Sequence, residues 1–160
     1  MEEQSGMSSD VWSFDFDKIL EGSGPKVKLL NSLNEARMKA ACAILRNDDS
    51  KEMYVTVAGG FSGAGTSLAS IEVLRVDLLD LDRSLYSKWE TYPATSSLPF
   101  GLYGGALLSS PGTLTLLGGQ NSAQGLLNTV IKGAADGGWE VVDNLKHRRA
   151  DFAVVKLPST

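Results

Sequence analysis

The chain is poor in the residues that carry most metal and acid–base chemistry. It has one cysteine, Cys42, and one histidine, His147, in 160 residues. A single cysteine excludes an intrachain disulfide framework and a thiolate metal cluster. Cys42 lies in the apolar run Ala40-Ala41-Cys42-Ala43-Ile44-Leu45 and reads as a small buried hydrophobe. His147 sits beside Lys146, Arg148 and Arg149, and reads as part of a solvated basic turn rather than a triad or metal ligand. Positive charge is also short: 15 Lys and Arg against 19 Asp and Glu give a net charge of −4 and no basic face for nucleic acid. No apolar run approaches the roughly 18 residues that a membrane span needs. Residues 1–10 are polar and acidic, without the apolar core of a signal peptide. No N-glycosylation sequon is present. These features point to the cytoplasm, with an extracellular place remaining open if a signal lies upstream of Met1.

Glycine is what the chain has in excess, with 17 residues. Short runs rich in β-branched and aromatic residues lie between the glycine clusters, which predicts an all-β fold of short strands and tight turns. Ile71-Glu72-Val73-Leu74-Arg75-Val76-Asp77 alternates with the period of a strand. Residues 38–45 are Ala-rich but align with later strands and are read as one. Two segments stand out. Tyr54-Val55-Thr56-Val57-Ala58-Gly59-Gly60 and Leu114-Thr115-Leu116-Leu117-Gly118-Gly119 each run an apolar strand into a diglycine. Each is followed by a polar loop, a further strand and a tryptophan, Trp89 or Trp139. The diglycines are 59 residues apart and the tryptophans 50. Insertions in loops account for the unequal steps. An arginine opens two of the units, Arg37 and Arg149, and Phe100 takes that place in the middle one.

In this order of parts the chain resembles the kelch family, over nearly all of residues 10–158. The resemblance implies four-stranded antiparallel propeller blades of about 50 residues. Residues 1–9 are then a disordered lead. Residues 10–36 end one blade, 37–99 and 100–148 form two full blades, and 149–158 add a closing strand. These parts are too few for a closed ring, which predicts that the chain is the C-terminal portion of a longer propeller. The resemblance gives Gly59, Gly60, Gly118 and Gly119 the role of strand ends where backbones approach closely. Trp89 and Trp139 become packing between blades, and Arg37 and Arg149 ties between loops.

No catalytic constellation accompanies this frame. Gly60-Phe61-Ser62-Gly63-Ala64-Gly65-Thr66 has the outer glycine spacing of a phosphate loop, but Thr66 stands where lysine is required and a strand follows. Asp80-Leu81-Asp82 and Asn47-Asp48-Asp49 lack the spacing of a calcium loop. No cofactor and no metal site is expected. The expected function is a non-enzymatic protein-interaction scaffold. The loops after the diglycines would meet a protein or peptide through Ser62, Thr66, Gln120, Asn121 and Gln124. The resemblance also admits a substrate-adaptor role in a ubiquitin ligase. A reading from another class is part of a kelch-propeller enzyme, such as an oxidase, with its catalytic residues outside these 160.

Overall fold

The structure, a computed structural model, describes residues 7–15, 21–22, 26–47, 50–92, 96–134 and 137–156. Alternation along the strands decides which side chains share a face. In β5 (Ile71–Asp77), Ile71 and Val73 point to one side, and Glu72, Leu74 and Val76 to the other; all five are buried. That strand is therefore covered on both faces. It pairs with β4 (Glu52–Ala58) and β6 (Glu90–Thr91), and β4 pairs with β3 (Ala41–Asn47), giving an antiparallel sheet of order β3-β4-β5-β6. A one-turn helix, α1 (Leu81–Ser84), lies in the connection before β6.

A second sheet repeats this plan. It contains β7 (Ala106–Ser110), β8 (Thr113–Leu117), β11 (Thr129–Ala134) and β12 (Gly137–Asn144), in the order β7-β8-β11-β12. The polar stretch after Gly119 folds into its own small hairpin, β9 (Gln120–Asn121) with β10 (Gly125–Leu126). Ahead of both sheets, β1 (Trp12–Asp15) pairs with β2 (Lys26–Leu29). All pairings are antiparallel, and no sheet closes among the described residues. The fold is thus all-β, as expected.

Two cores separate the layers. Ala41, Leu45, Ala58, Ile71 and Val73 of the first sheet pack with Leu107, Leu114, Leu116, Ile131 and Trp139 of the second. On the other face of the first sheet, Leu74, Val76 and Trp89 pack with Val55, Val57 and residues near the N-terminal hairpin, including Val11 and Leu33. Each tryptophan therefore lies between one layer and the layer before it in sequence. The hairpin has no such cover on its far side. Trp12, Phe14, Val27 and Leu29, cross-strand partners on one face, are all about half exposed.

Three stretches differ from expectation. The apolar segment at the C-terminus, read as the closing strand of 149–158, joins no sheet in its described residues 150–156. Its start is held by a bond from Asp151 N to Gly104 O, but the rest forms no backbone ladder with the neighbouring β7, and a strand is stable only as part of one. Of the lead at 1–9, residues 1–6 lie outside the described residues. Ser8 and Ser9 are ordered by backbone bonds from Arg37 N and Leu33 N. Cys42 is exposed rather than buried. It sits on the edge strand β3, on the face that meets the N-terminal hairpin, and a two-stranded hairpin does not reach across it.

Candidate functional site

Backbone hydrogen bonds lay the three layers in exact register. Gly59 N bonds to Ser70 O and Gly118 N to Thr129 O, which makes Glu72 and Ile131 equivalent. Gly60 N bonds to Leu102 O and Gly119 N to Arg149 O. The connectors repeat three times. Leu33, Leu98 and Leu145 donate to Ser9 O, Ala69 O and Asn128 O, and four residues later Arg37, Leu102 and Arg149 donate to Ser8 O, Leu68 O and Leu127 O. The residue equivalent to Arg37 and Arg149 is therefore Leu102, not Phe100. The pattern Leu-x-x-x-Arg/Leu was present in the sequence. It was hidden because the middle unit replaces the conspicuous charge with leucine.

These bonds converge at one end of the two sheets. Both diglycines lie there with left-handed backbones, φ 65° and 113° at Gly59 and Gly60, and 57° and 103° at Gly118 and Gly119. A side chain at Gly59 would collide with Leu102 O, and one at Gly118 with Arg149 O. Only glycine meets both demands, so the next connector can lie directly on the strand end.

The loop residues singled out from the sequence all reach this end, but with unequal freedom. Ser62 is buried, and its hydroxyl is 2.8 Å from that of Thr66. Asn121 donates to Gly101 O at 2.6 Å, and its Oδ1 accepts from Ala123 N and Gln124 N. Gln120 pairs through its backbone with Tyr103. Ser62 and Asn121 thus shape their loops, whereas Thr66 and Gln124 are exposed. The two loops are joined directly: Ser67 and Ser122 hydroxyls lie 2.6 Å apart, and Ser122 N donates to Ser67 Oγ at 2.7 Å.

Beside this bridge lies an apolar group that the polar-loop reading missed. Phe61 and Tyr103 meet edge to face, with ring centroids 4.9 Å apart. Met38, whose backbone bridges to Phe61, is 40% exposed. Phe61 follows the first diglycine, a position that could have drawn attention to it. Next to Tyr103, Lys39 and Asp151 form an ion pair of 2.6 Å. The hydrogen bond to Asp151, reinforced by its charge, holds the Lys39 ammonium above the ordinary lysine range.

The two arginines have different surroundings. Arg37 is buried and donates to Gly59 O at 2.7 Å, to Ser70, and to Glu72 Oε1 at 2.5 Å. Glu72, fully buried, also accepts from Asn34 N and Glu35 N. Arg149 is exposed and lies 5.6 Å from the Phe152 ring centroid. Trp89 donates its indole N–H to Asn31 O, while the Trp139 indole N–H has no partner among the described residues and the ring packs against Gly133. Among the described residues no group of three or more His, Cys, Asp or Glu could hold a metal ion. His147 is exposed.

No known family model matches the chain, and no curated protein matches its sequence.

Proposed function

We propose that the chain is a set of kelch-type propeller blades acting as a non-enzymatic interaction module, which receives a protein or peptide partner on its loop end. The observation that carries this reading is the Ser67–Ser122 bridge, which joins the diglycine loops of successive sheets into one surface. Met38, Phe61 and Tyr103 supply an apolar centre, and Thr66 and Gln124 a polar rim, the anatomy of a protein-binding surface. The kelch assignment is supported by the register: two diglycines, two tryptophans facing the preceding layer, and three identical connectors. Loops held on a rigid β scaffold are where repeat proteins carry recognition.

Photo-crosslinking in cells tests the reading. A photoreactive residue at Thr66 or Gln124 is expected to capture one common partner that the same residue at Leu79, on the opposite end, does not. Met38→Asp is expected to abolish that capture. Equal capture from both ends, or capture unaffected by Met38→Asp, would refute a loop-end site.

A further inference from the structure

At the opposite end of the sheets is an open cavity of about 280 Å³, formed where β3, β7 and the C-terminal segment run side by side. Its lining is a consequence of the repeat. Ile44, Ser109 and Lys156 all contribute, and they stand seven residues after Arg37, Leu102 and Arg149 respectively. Three equivalent positions therefore face one space. Because β3 and β7 belong to different sheets, no ladder closes the gap between them.

The chemistry of the lining is lopsided for an acidic chain. Arg46 and Lys156 bring two cations and Ser109 and Ser110 two hydroxyls, and no carboxylate lines the cavity among the described residues. Elsewhere Arg37, Lys39 and Arg75 are each held by carboxylates. Among the described residues Arg46 and Lys156 make no ion pair, and Lys156 has a long hydrogen bond, 3.4 Å, to Ser110 Oγ. Ile44 and Pro111 supply apolar walls. We infer that this cavity binds a dianionic group, a phosphate monoester or a paired carboxylate. The Arg46 guanidinium would grip it in a fork, Lys156 would add a point charge, and the serine hydroxyls would donate to the remaining oxygens. The site is separate from the loop end and does not depend on the function proposed for it.

Titration of the intact chain with inorganic phosphate and, separately, glutarate tests this by calorimetry or by amide chemical shifts. Saturable binding with a Kd of roughly millimolar order is expected for an open two-cation site, weakening as salt is added. The ligand that binds more tightly identifies the source, phosphate or carboxylate. Arg46→Ala and Lys156→Ala are each expected to weaken binding about tenfold or more, Arg46→Lys less than Arg46→Ala, and Lys132→Ala, outside the cavity, not at all. Both cations are exposed and form no ion pair among the described residues, so these variants are expected to melt with the wild-type chain. Absence of saturable binding for both anions, or equal affinity in the Arg46→Ala and Lys156→Ala variants, would overturn the inference.

Discussion

The two four-stranded sheets share a backbone plan but settle the same buried position by opposite chemistry. In the first, Arg37 and Glu72 form a buried ion pair, and the carboxylate also accepts two backbone N–H groups. In the second, the equivalents are Leu102 and Ile131, both fully buried in the apolar core. The exchange reaches one of the two backbone donors to Glu72. Asn34, whose N–H needs Glu72, is replaced at the equivalent place by Pro99, which has no N–H to satisfy. A buried polar network is kept whole or removed whole, because a half-satisfied one leaves desolvated groups without partners.

The largest expected effect comes from breaking that network in half. Glu72→Ala leaves Arg37 only the longer ion pair to Glu35, at 3.5 Å, and strands two N–H groups, and a loss of about 3 kcal/mol is expected in denaturant unfolding. Converting the first sheet to the chemistry of the second sharpens the comparison. Arg37→Leu with Glu72→Ile is expected to cost less than either single change. If the double variant is no better than Glu72→Ala, the equivalence of the two positions is wrong.

Next come the strand ends. Gly59→Ala and Gly118→Ala each force a left-handed side chain into a carbonyl of the next connector. A loss of at least about 2 kcal/mol is expected for both, with a similar size because their geometry is similar. Gly112→Ala, also left-handed at φ 70° but with open space around it, isolates the strain from the collision and is expected to cost only about 1 kcal/mol.

The tryptophans should differ by less. Trp89→Phe leaves Asn31 O without its indole donor, whereas Trp139→Phe removes an N–H that has no partner. The first is expected to cost about 1 kcal/mol more than the second, measured as the difference in unfolding free energy. An equal cost would mean that the Asn31 bond contributes nothing.

The smallest effect concerns pH. Glu52 accepts hydrogen bonds from Arg75 and Tyr54, and these, the arginine first, hold its carboxyl below the ordinary carboxylate range. A carboxyl lowered on folding adds stability that is fully present above its unfolded value. The contribution falls away as the pH drops through the folded value, on the acid side of about 4.3. Wild type and Glu52→Gln should therefore differ slightly near neutrality and converge in acid. The second sheet has Leu117 and Thr113 at the ends of the strand equivalent to β4 and no such pair, so the same scan on Thr113→Ala should show no acid convergence.

Much of the frame was legible because it rests on local signals. The diglycines mark strand ends through backbone geometry, and the alternation in residues 71–77 states that the strand has two faces. The site was less legible. Ser62 and Asn121 read as polar loop residues available to a partner, yet their hydrogen bonds are used within the loops. Met38, Phe61 and Tyr103 are far apart in sequence, and their grouping depends on the connector bonds that bring two units together. The misplacement of the middle unit at Phe100 has the same origin. The middle unit carries leucine, Leu102, where the flanking units carry arginine, so no charge marks its start.

Composition and pattern were thus enough for an all-β chain and for the twice-used order of strand, diglycine and tryptophan, because each follows from residue type or from spacing along the chain. Packing between layers settled the rest. It determined that Glu72 is buried against Arg37, that Cys42 faces outward, that residues 150–156 find no ladder, and that Arg46 and Lys156 share one cavity. Those outcomes depend on which faces meet and which edges lack a neighbour, and no residue carries that information by itself.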